Sequence, residues 1–309
     1  MKNKFSKIKA HIKEKLGLKQ LRYMTTIYRF FKKILSPVAK LLPSDWLTPD
    51  NIGPNEELNS TIQIKTSDTV SVVLSGYQRP HTLREQYQAV LSQTHKPNEI
   101  LFWQNKSSKE ADFDEQVISE MKASRSNFNF GVWARFAYAL NCKSKFICIL
   151  DDDTIPGEKW VENCLESFKK KPGLYGTIGL VYKSKDSYFG ASRFGWDGTN
   201  NEEIVQVDIV GHAWFFEREM LSTYWRELCD IEDIYVGEDM HFSHMLQKYT
   251  NLKTYVPPHP INNKDLWGSL KGDKYGGESV ATGSFAVSMM DRYYKKIIER
   301  GFKIINDNE

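Results

Sequence analysis

The stretch Phe-Ile-Cys-Ile-Leu-Asp-Asp-Asp, residues 146–153, joins an uninterrupted apolar segment to three consecutive carboxylates. A short apolar run of this kind is typical of a strand that is buried on both faces, as in a parallel sheet. Ligands of open α/β sheets bind in the crevice outside the carboxyl ends of the strands. The stretch therefore predicts a central strand at 146–150 and a binding site at Asp151, Asp152 and Asp153.

Predicted strands and helices alternate on the N-terminal side of this stretch. Strands are predicted at 69–74 and 99–103, and helices at 81–93, 112–123 and 131–142. This alternation predicts an α/β fold with a Rossmann-like, mostly parallel central sheet flanked by helices. The C-terminal side is mixed, with predicted strands at 175–182, 187–191 and 205–216 and predicted helices at 158–169, 218–228, 237–249 and 283–300.

The three adjacent carboxylates repel one another, and a divalent cation would hold them together. Oxygen ligands favour Mg²⁺ or Mn²⁺, usually with substrate phosphates completing the coordination shell. The alternative is an acidic turn that caps the following helix, a role that Thr154 and Pro156 also suit.

Two further segments carry a resemblance to a known family. Residues 71–80, Ser-Val-Val-Leu-Ser-Gly-Tyr-Gln-Arg-Pro, and residues 93–97, Gln-Thr-His-Lys-Pro, resemble the opening of GT-A glycosyltransferases of family 2. Residues 151–153 match the DXD motif of that family, which binds a metal ion and the diphosphate of a nucleotide sugar. The resemblance covers about residues 70–260. It implies that the nucleotide sugar contacts Ser75, Tyr77, Arg79, Asn105, Asp151, Asp152 and Asp153, and that Asp151 and Asp153 hold the metal ion. A resemblance of Arg135-Phe136 to a pair of the exostosin-like family 64 adds Arg135 to these contacts.

The pair Glu238-Asp239 opens a predicted helix and looks like the Glu-Asp motif of inverting family 2 enzymes. A sugar hydroxyl is a weak nucleophile, so a carboxylate within hydrogen-bond reach supplies general-base catalysis. The resemblance implies that one of the two acids deprotonates the acceptor, and Asp239 is favoured over Glu238. The alternative is an ordinary acidic helix N-terminus.

Three other residues are candidates for the site. The strand around 208–216 resembles the one that lines the acceptor site, where His212 and Trp214 would contact a sugar. A late histidine completes the metal shell in several GT-A enzymes, and His259 is the candidate here. The alternatives are an aromatic core for Trp214 and a histidine in a rigid turn for His259.

Two features depart from the family 2 pattern. The segment after the second strand, Gln104-Asn105-Lys106-Ser107, lacks the usual carboxylate near the nucleotide base. Arg135-Phe136 resembles an Arg-Phe pair of the exostosin-like family 64, whose enzymes retain anomeric configuration, whereas family 2 enzymes invert it. A retaining transferase, a non-catalytic sugar-binding or scaffold member and a haloacid-dehalogenase-like phosphatase are therefore the alternatives to an inverting transferase.

The charge is divided unevenly along the chain. Residues 1–40 contain twelve Lys and Arg and one acid, a charge of +11, whereas the remaining 269 residues contain 30 basic and 38 acidic residues, a charge of −8. Apolar and basic residues over 20–36 predict an amphipathic helix that attaches to an anionic membrane surface. The alternative is a helix packed on its own domain or a solvated tail. Because the excess of basic residues does not lie on the body, which has a net charge of −8, nucleic acid is excluded as a partner.

The sequence predicts four segments: a basic amphipathic helical extension at 1–45, a linker at 46–68, a glycosyltransferase domain at 69–282 and a C-terminal helix at 283–309. Within the domain, 69–155 would bind the nucleotide sugar and 156–282 the acceptor. The predicted function is transfer of a hexosyl or N-acetylhexosaminyl group from a UDP-sugar to a glycan or lipid-linked acceptor. The reaction would depend on Mn²⁺ or Mg²⁺ and would serve surface polysaccharide synthesis. Neither a secretory signal nor an apolar stretch of spanning length is evident, so a cytoplasmic location with peripheral membrane attachment is expected.

Overall fold

The computed structural model describes residues 68–227, 234–275 and 284–308. The predicted basic helix and all but the last residue of the predicted linker lie outside the described residues. None of the described helices is long and apolar enough to cross a membrane.

The described part of the chain is built on one nine-stranded sheet. Its strands are β1 (Val70–Gly76), β2 (Glu99–Gln104), β3 (Lys122–Arg125), β4 (Phe146–Leu150), β5 (Gly173–Val181), β6 (Ser192–Gly195), β7 (Val205–Val207), β8 (Ile209–Glu217) and β9 (Lys253–Val256). The strand order is β3-β2-β1-β4-β8-β5-β9-β7, with β6 paired to β5. Strands β1, β2, β3, β4, β5 and β9 run in one direction, and β6, β7 and β8 run in the other. The predicted mixed α/β fold with a mostly parallel central sheet is confirmed.

Helices flank this sheet. They are α1 (Leu83–Leu91), α2 (Glu115–Ser119), α3 (Ala134–Tyr138), α4 (Trp160–Lys170), α5 (Met220–Tyr224), α6 (Glu238–Tyr249), α7 (Gly272–Tyr275) and α8 (Ser284–Glu299). Strand β4 has no exposed residue, because helices cover both faces of the sheet at its centre. The chain passes from β1 to β2 on one side and returns to β4 on the other, so the sheet changes winding direction between β1 and β4. Such a switch point leaves a crevice at the carboxyl ends of the two strands.

Two of the differences between the structure and the sequence prediction concern β3 and β6. Helix α2 ends at Ser119, and residues 122–125 form β3 instead, because the edge of β2 offers them backbone partners such as Phe102 for Ala123. Residues 187–191 form a loop that contains Gly190 at φ 81°, and the neighbouring strand β6 begins only at Ser192.

Candidate functional site

The acidic turn after β4 is fixed by hydrogen bonds from two elements. The backbone N–H of Asp151 donates to the carbonyl of His212 on β8, at 3.0 Å. Helix α1 contributes Gln86, whose Nε2 donates to the carbonyls of Asp151 at 2.6 Å and Thr154 at 2.7 Å. The turn is therefore held from two sides before any ligand binds.

Two buried arginines hold most of the carboxylates of the site. Arg79 lies 2.5 Å from Asp152 and 3.5 Å from Asp153, measured between guanidinium nitrogens and carboxylate oxygens. Arg135 bridges two elements, since it lies 2.9 Å from Asp151 and 2.6 Å from Glu238 on α6. Paired charges of this kind tolerate burial, whereas an unpaired buried charge is costly.

Burial dominates the pKa values of these acids. It raises the pKa of Asp151 to about 6 although Arg135 opposes the shift, and the pKa of Asp152 to about 6 although Arg79 opposes it. Burial acts in the same direction on Asp153, but His212 and Arg79 outweigh it and lower the pKa of that carboxyl. Asp153 is therefore the member of the triplet that is most firmly ionised.

His212 reaches the acidic turn because of a bulge in β8. One residue of β5, Thr177, lies opposite both His212 and Ala213, since Gly176 pairs with Trp214 and Ile178 with Gly211. His212 has a φ of 63°, a left-handed conformation that is uncommon outside glycine and is often found near active sites. The bulge turns the imidazole toward Asp153, with Nδ1 3.5 Å from Oδ1.

Asp151, Asp153 and His212 are suited to hold a metal ion. One ligand atom from each of the three lies within 4.8 Å of the others. Ligands around one small octahedral cation at about 2.1 Å lie up to about 4.2 Å apart, so only a small side-chain adjustment is needed. Carboxylate oxygen with imidazole nitrogen suits Mn²⁺, and carboxylate oxygen also suits Mg²⁺.

The Glu-Asp pair begins helix α6 at the other side of the crevice. Gly237 precedes it at φ 91°, packed so closely on the ring of Tyr293 that an added Cβ would lie 2.6 Å from it. Asp239 forms no ion pair with the described residues, while Glu238 is held by Arg135. Burial raises the pKa of Glu238 to about 7, opposed by Arg135, and that of Asp239 to about 6, opposed by the backbone N–H of Met240. Of the two acids, Asp239 is therefore the one that ionises more readily and is better able to accept a proton.

These groups face one cleft of about 690 Å³ at the carboxyl ends of β1 and β4. The cleft is lined by every residue predicted for the site except His259, namely Ser75, Tyr77, Arg79, Asn105, Arg135, Asp151, Asp152, Asp153, His212, Trp214, Glu238 and Asp239. The fold thus brings together residues that are far apart in sequence, from β1, β4, β8 and α6. They line one cavity whose size suits a small-molecule ligand.

The structure contradicts the predicted metal role of His259. This histidine is fully buried and does not line the cleft. Its Nδ1 lies 2.8 Å from the carbonyl of Pro257, and its Nε2 lies 3.1 Å from Thr177 Oγ1 and 3.3 Å from the N–H of Gly268. Both ring nitrogens of His259 are therefore used in the fold, and His212 is the histidine that lies beside Asp151 and Asp153.

Trp214 lines the cleft but offers a sugar almost no accessible surface, so its contact with a sugar stays a prediction. The residue is 1% exposed, and its indole N–H donates to the carbonyl of Val210. The guanidinium of Arg135 lies over its ring, 4.7 Å from the centroid. The indole ring of Trp214 thus forms a cation–π contact with the guanidinium of Arg135. Such a contact is stronger when water is excluded.

Asn105 organises a loop at the mouth of the cleft. Its Nδ2 donates to the carbonyl of Gly131, and its Oδ1 accepts hydrogen bonds from Trp103 Nε1 and the N–H of Phe130. The loop that Asn105 holds places the half-exposed ring of Phe130 beside Trp103. Contact of Asn105 with a nucleotide base remains a prediction.

Sequence reasoning missed several aromatic residues of the cleft. Tyr188, Phe189 and Tyr235 line it, and Phe189 and Tyr235 are about half exposed. Burial raises the pKa of Tyr188, and the neighbouring Asp239 adds to the shift. The available signal is the aromatic pair at 188–189, whose pattern predicts a strand and not a cleft.

We expect the two histidines to respond oppositely to substitution. His259→Leu should lower the free energy of unfolding by about 2 kcal/mol or more, since it leaves buried polar partners unsatisfied, and should leave Mn²⁺ affinity unchanged. His212→Leu should weaken Mn²⁺ binding by about tenfold or more with a smaller effect on stability. Chemical denaturation and calorimetric Mn²⁺ titration measure the two effects, and loss of Mn²⁺ affinity in a folded His259→Leu protein would reverse the assignment.

Comparison with known proteins gives one family and several distant structures. A family model described as Glycosyl transferase family 2 matches residues 71–225, which is half of the chain. No curated protein matches. The structure of S. aureus TarS is 12% identical, covers 62% of this chain and 36% of its own, and has a TM-score of 0.46. The mannosyltransferase PcManGT from Pyrobaculum calidifontis, solved with GDP-Man and Mn²⁺, is 14% identical, covers 63% of this chain and 58% of its own, and has a TM-score of 0.40. The chain thus spans about a third of the TarS chain.

Proposed function

The chain belongs to glycosyl transferase family 2, and we propose that it transfers a sugar from a UDP-sugar to a hydroxyl group of a glycan or lipid-linked acceptor. One observation carries this proposal. A single cleft contains the Asp151–Asp153–His212 cluster and, from a different element, the acids Glu238 and Asp239. A donor site and a proton acceptor in one volume are the two requirements of glycosyl transfer to a hydroxyl.

On the donor side, Asp151, Asp153 and His212 would hold Mn²⁺ or Mg²⁺. The ion, when bound, neutralises the negative charge of the diphosphate leaving group. Arg79 keeps Asp152 and the turn in place, and Ser75 and Tyr77 at the end of β1 line the same part of the cleft. The nucleoside lies against the side of the cleft that is formed by Asn105 and the loop at 129–131.

On the acceptor side, Asp239 accepts the proton of the attacking hydroxyl. Glu238 is less suited to this task because its carboxylate is bound by Arg135 at 2.6 Å. Gly211 on β8 leaves open space in front of Asp239, since an added Cβ would still lie 4.0 Å from Oδ2. Attack by a hydroxyl on the face opposite the diphosphate inverts the anomeric configuration, and inversion is what we propose.

Donor hydrolysis tests the proposal most directly. The purified protein is incubated with UDP-glucose, UDP-galactose, UDP-N-acetylglucosamine and GDP-mannose, each with Mn²⁺, with Mg²⁺ and with a chelator. We expect metal-dependent release of UDP, and NMR of the anomeric proton then reports the stereochemistry of transfer. Absence of both binding and turnover with every donor would support a non-catalytic member of the family.

Attachment of residues 1–40 to an anionic membrane surface belongs to the same proposal, with surface polysaccharide synthesis as the process served. We expect the full chain to bind vesicles that contain anionic lipid, and Arg22→Gln/Arg29→Gln/Lys32→Gln/Lys33→Gln to weaken this binding at least tenfold, because each basic residue contributes about 1 kcal/mol. Vesicle co-sedimentation measures the binding. The control neutralises four exposed lysines of the body, Lys109, Lys143, Lys170 and Lys183. Equal binding by a chain lacking residues 1–40 would contradict the prediction.

A further inference from the structure

A second cavity, of about 380 Å³, lies away from the cleft. It is formed by the later turns of α6, by β7 and β9, and by residues 300–305 after α8. It shares no lining residue with the cleft. The proposed transfer reaction does not use it.

The charge around this cavity is predominantly positive. Lys248, Lys253, Arg300 and Lys303 line it, and only Lys248 has an ion-pair partner among the described residues, Glu227. The remaining three cations are uncompensated within the part of the chain that the structure describes. They outweigh the partial negative charge, about half an elementary charge, at the C-terminal end of α6.

The one carboxylate in the lining forms no ion pair with these cations among the described residues. Asp208 is 5% exposed and uses its two oxygens to accept the backbone N–H groups of Tyr182 and Ile305, each at 2.7 Å. Burial raises the pKa of Asp208 to about 6, opposed by these hydrogen bonds. The cavity therefore combines three free cationic groups with a carboxylate that is already satisfied.

A buried histidine provides the second, independent observation. His244 is 2% exposed and lines the cavity, and its Nε2 has no hydrogen-bond partner among the described residues. Its ring packs edge-on against Phe302, with centroids 5.9 Å apart. Buried polar atoms without partners are rare, and a bound ligand is one of the few explanations for them.

We propose that this cavity binds a phosphate group, either inorganic phosphate or the phosphoryl end of a small monoester. The phosphoryl oxygens accept hydrogen bonds from Lys253, Arg300 and Lys303, and a protonated phosphoryl oxygen donates to His244 Nε2. Charge-assisted bonds of this kind are shorter and stronger than neutral ones, and the planar guanidinium of Arg300 suits phosphate geometry. A cavity of this volume also has room for an organic group beside the phosphate.

Binding is measured by calorimetry at pH 7 with a chelator present, so that the diphosphate site of the cleft lacks its cation. The two probes are inorganic phosphate and glucose 6-phosphate, and tighter binding of the monoester would identify it as the source. We expect Lys253→Gln/Arg300→Gln/Lys303→Gln to weaken binding at least tenfold. The matched control, Lys143→Gln/Lys170→Gln/Lys183→Gln, removes the same charge from exposed lysines outside both cavities and should change binding less than twofold.

Two further measurements fix the location. His244→Phe should weaken phosphate binding while its ring retains the contact with Phe302. Hydrogen exchange should slow at residues 300–305 when phosphate is added. Unchanged affinity in the folded triple variant, absence of binding by either probe, or protection confined to residues 151–154 would each overturn the proposal.

Discussion

Asp239→Asn is expected to reduce kcat by about 10³-fold while leaving the affinity for the nucleotide sugar unchanged. The amide retains the size and shape of the carboxylate but cannot accept the proton of the acceptor hydroxyl, and general-base catalysis contributes about 10²–10⁴-fold. The donor is held at the other side of the cleft by groups that Asp239 does not touch. Single-turnover kinetics with a saturating donor, together with calorimetric donor binding, separate the two effects.

The pH profile gives an independent readout of the same residue. Burial raises the pKa of Asp239 to about 6, so the carboxylate is lost as pH falls through about 6 and kcat/KM should fall with it. In Asp239→Asn, the low residual rate should lose the part of this acidic limb that Asp239 contributes, while the part that comes from Asp151, whose pKa burial also raises to about 6, should remain. Because Glu238 and Asp239 are neighbours, the apparent pKa belongs to the pair.

Glu238→Gln is the matched variant. Glu238 holds Arg135, so its loss leaves a buried guanidinium with one partner fewer and should lower stability more than Asp239→Asn does. We expect Glu238→Gln to retain a larger share of the activity than Asp239→Asn. The opposite order of activities in two folded proteins would assign the base to Glu238.

The sequence alone was sufficient to predict those parts of the site that are built from residues adjacent in the chain. Strand β4 and the acidic turn are adjacent in the chain, so an apolar run ending in carboxylates predicted both. Glu238 and Asp239 likewise begin a helix whose start was correctly predicted from the sequence. Each of these features is encoded within about ten residues.

The choice between His212 and His259 could not be made from the sequence. His212 enters the site through a bulge, where one residue of β5 faces two of β8, and this register is a property of the paired strands. His259 is excluded because Thr177 and Gly268, far from it in sequence, occupy its ring nitrogens. The bridge from Asp151 through Arg135 to Glu238 is non-local in the same way, since its members are separated by up to 103 residues.

Asp153→Asn should have the second large effect, a loss of about 10³-fold in metal-dependent turnover together with weaker Mn²⁺ binding. Asp153 is the acid whose pKa is held below its usual value, although burial opposes this, by His212 and Arg79. It is therefore the most firmly ionised ligand of the cluster, and an amide cannot replace its negative charge. Turnover across a range of Mn²⁺ concentrations, and calorimetric Mn²⁺ binding, measure the loss.

Asp152→Asn is the control that isolates this role. Asp152 lies one position away, is similarly placed on the turn and binds Arg79 at 2.5 Å, but it is not part of the three-residue cluster. Its replacement should change Mn²⁺ affinity less than about threefold, because the ligand atoms of Asp151, Asp153 and His212 remain. Arg79 keeps one aspartate partner in either variant, so both proteins should fold. If Asp152→Asn lost Mn²⁺ binding while Asp153→Asn kept it, the metal ion would have to bind on the Arg79 side of the turn, and His212 would be free to contact the acceptor.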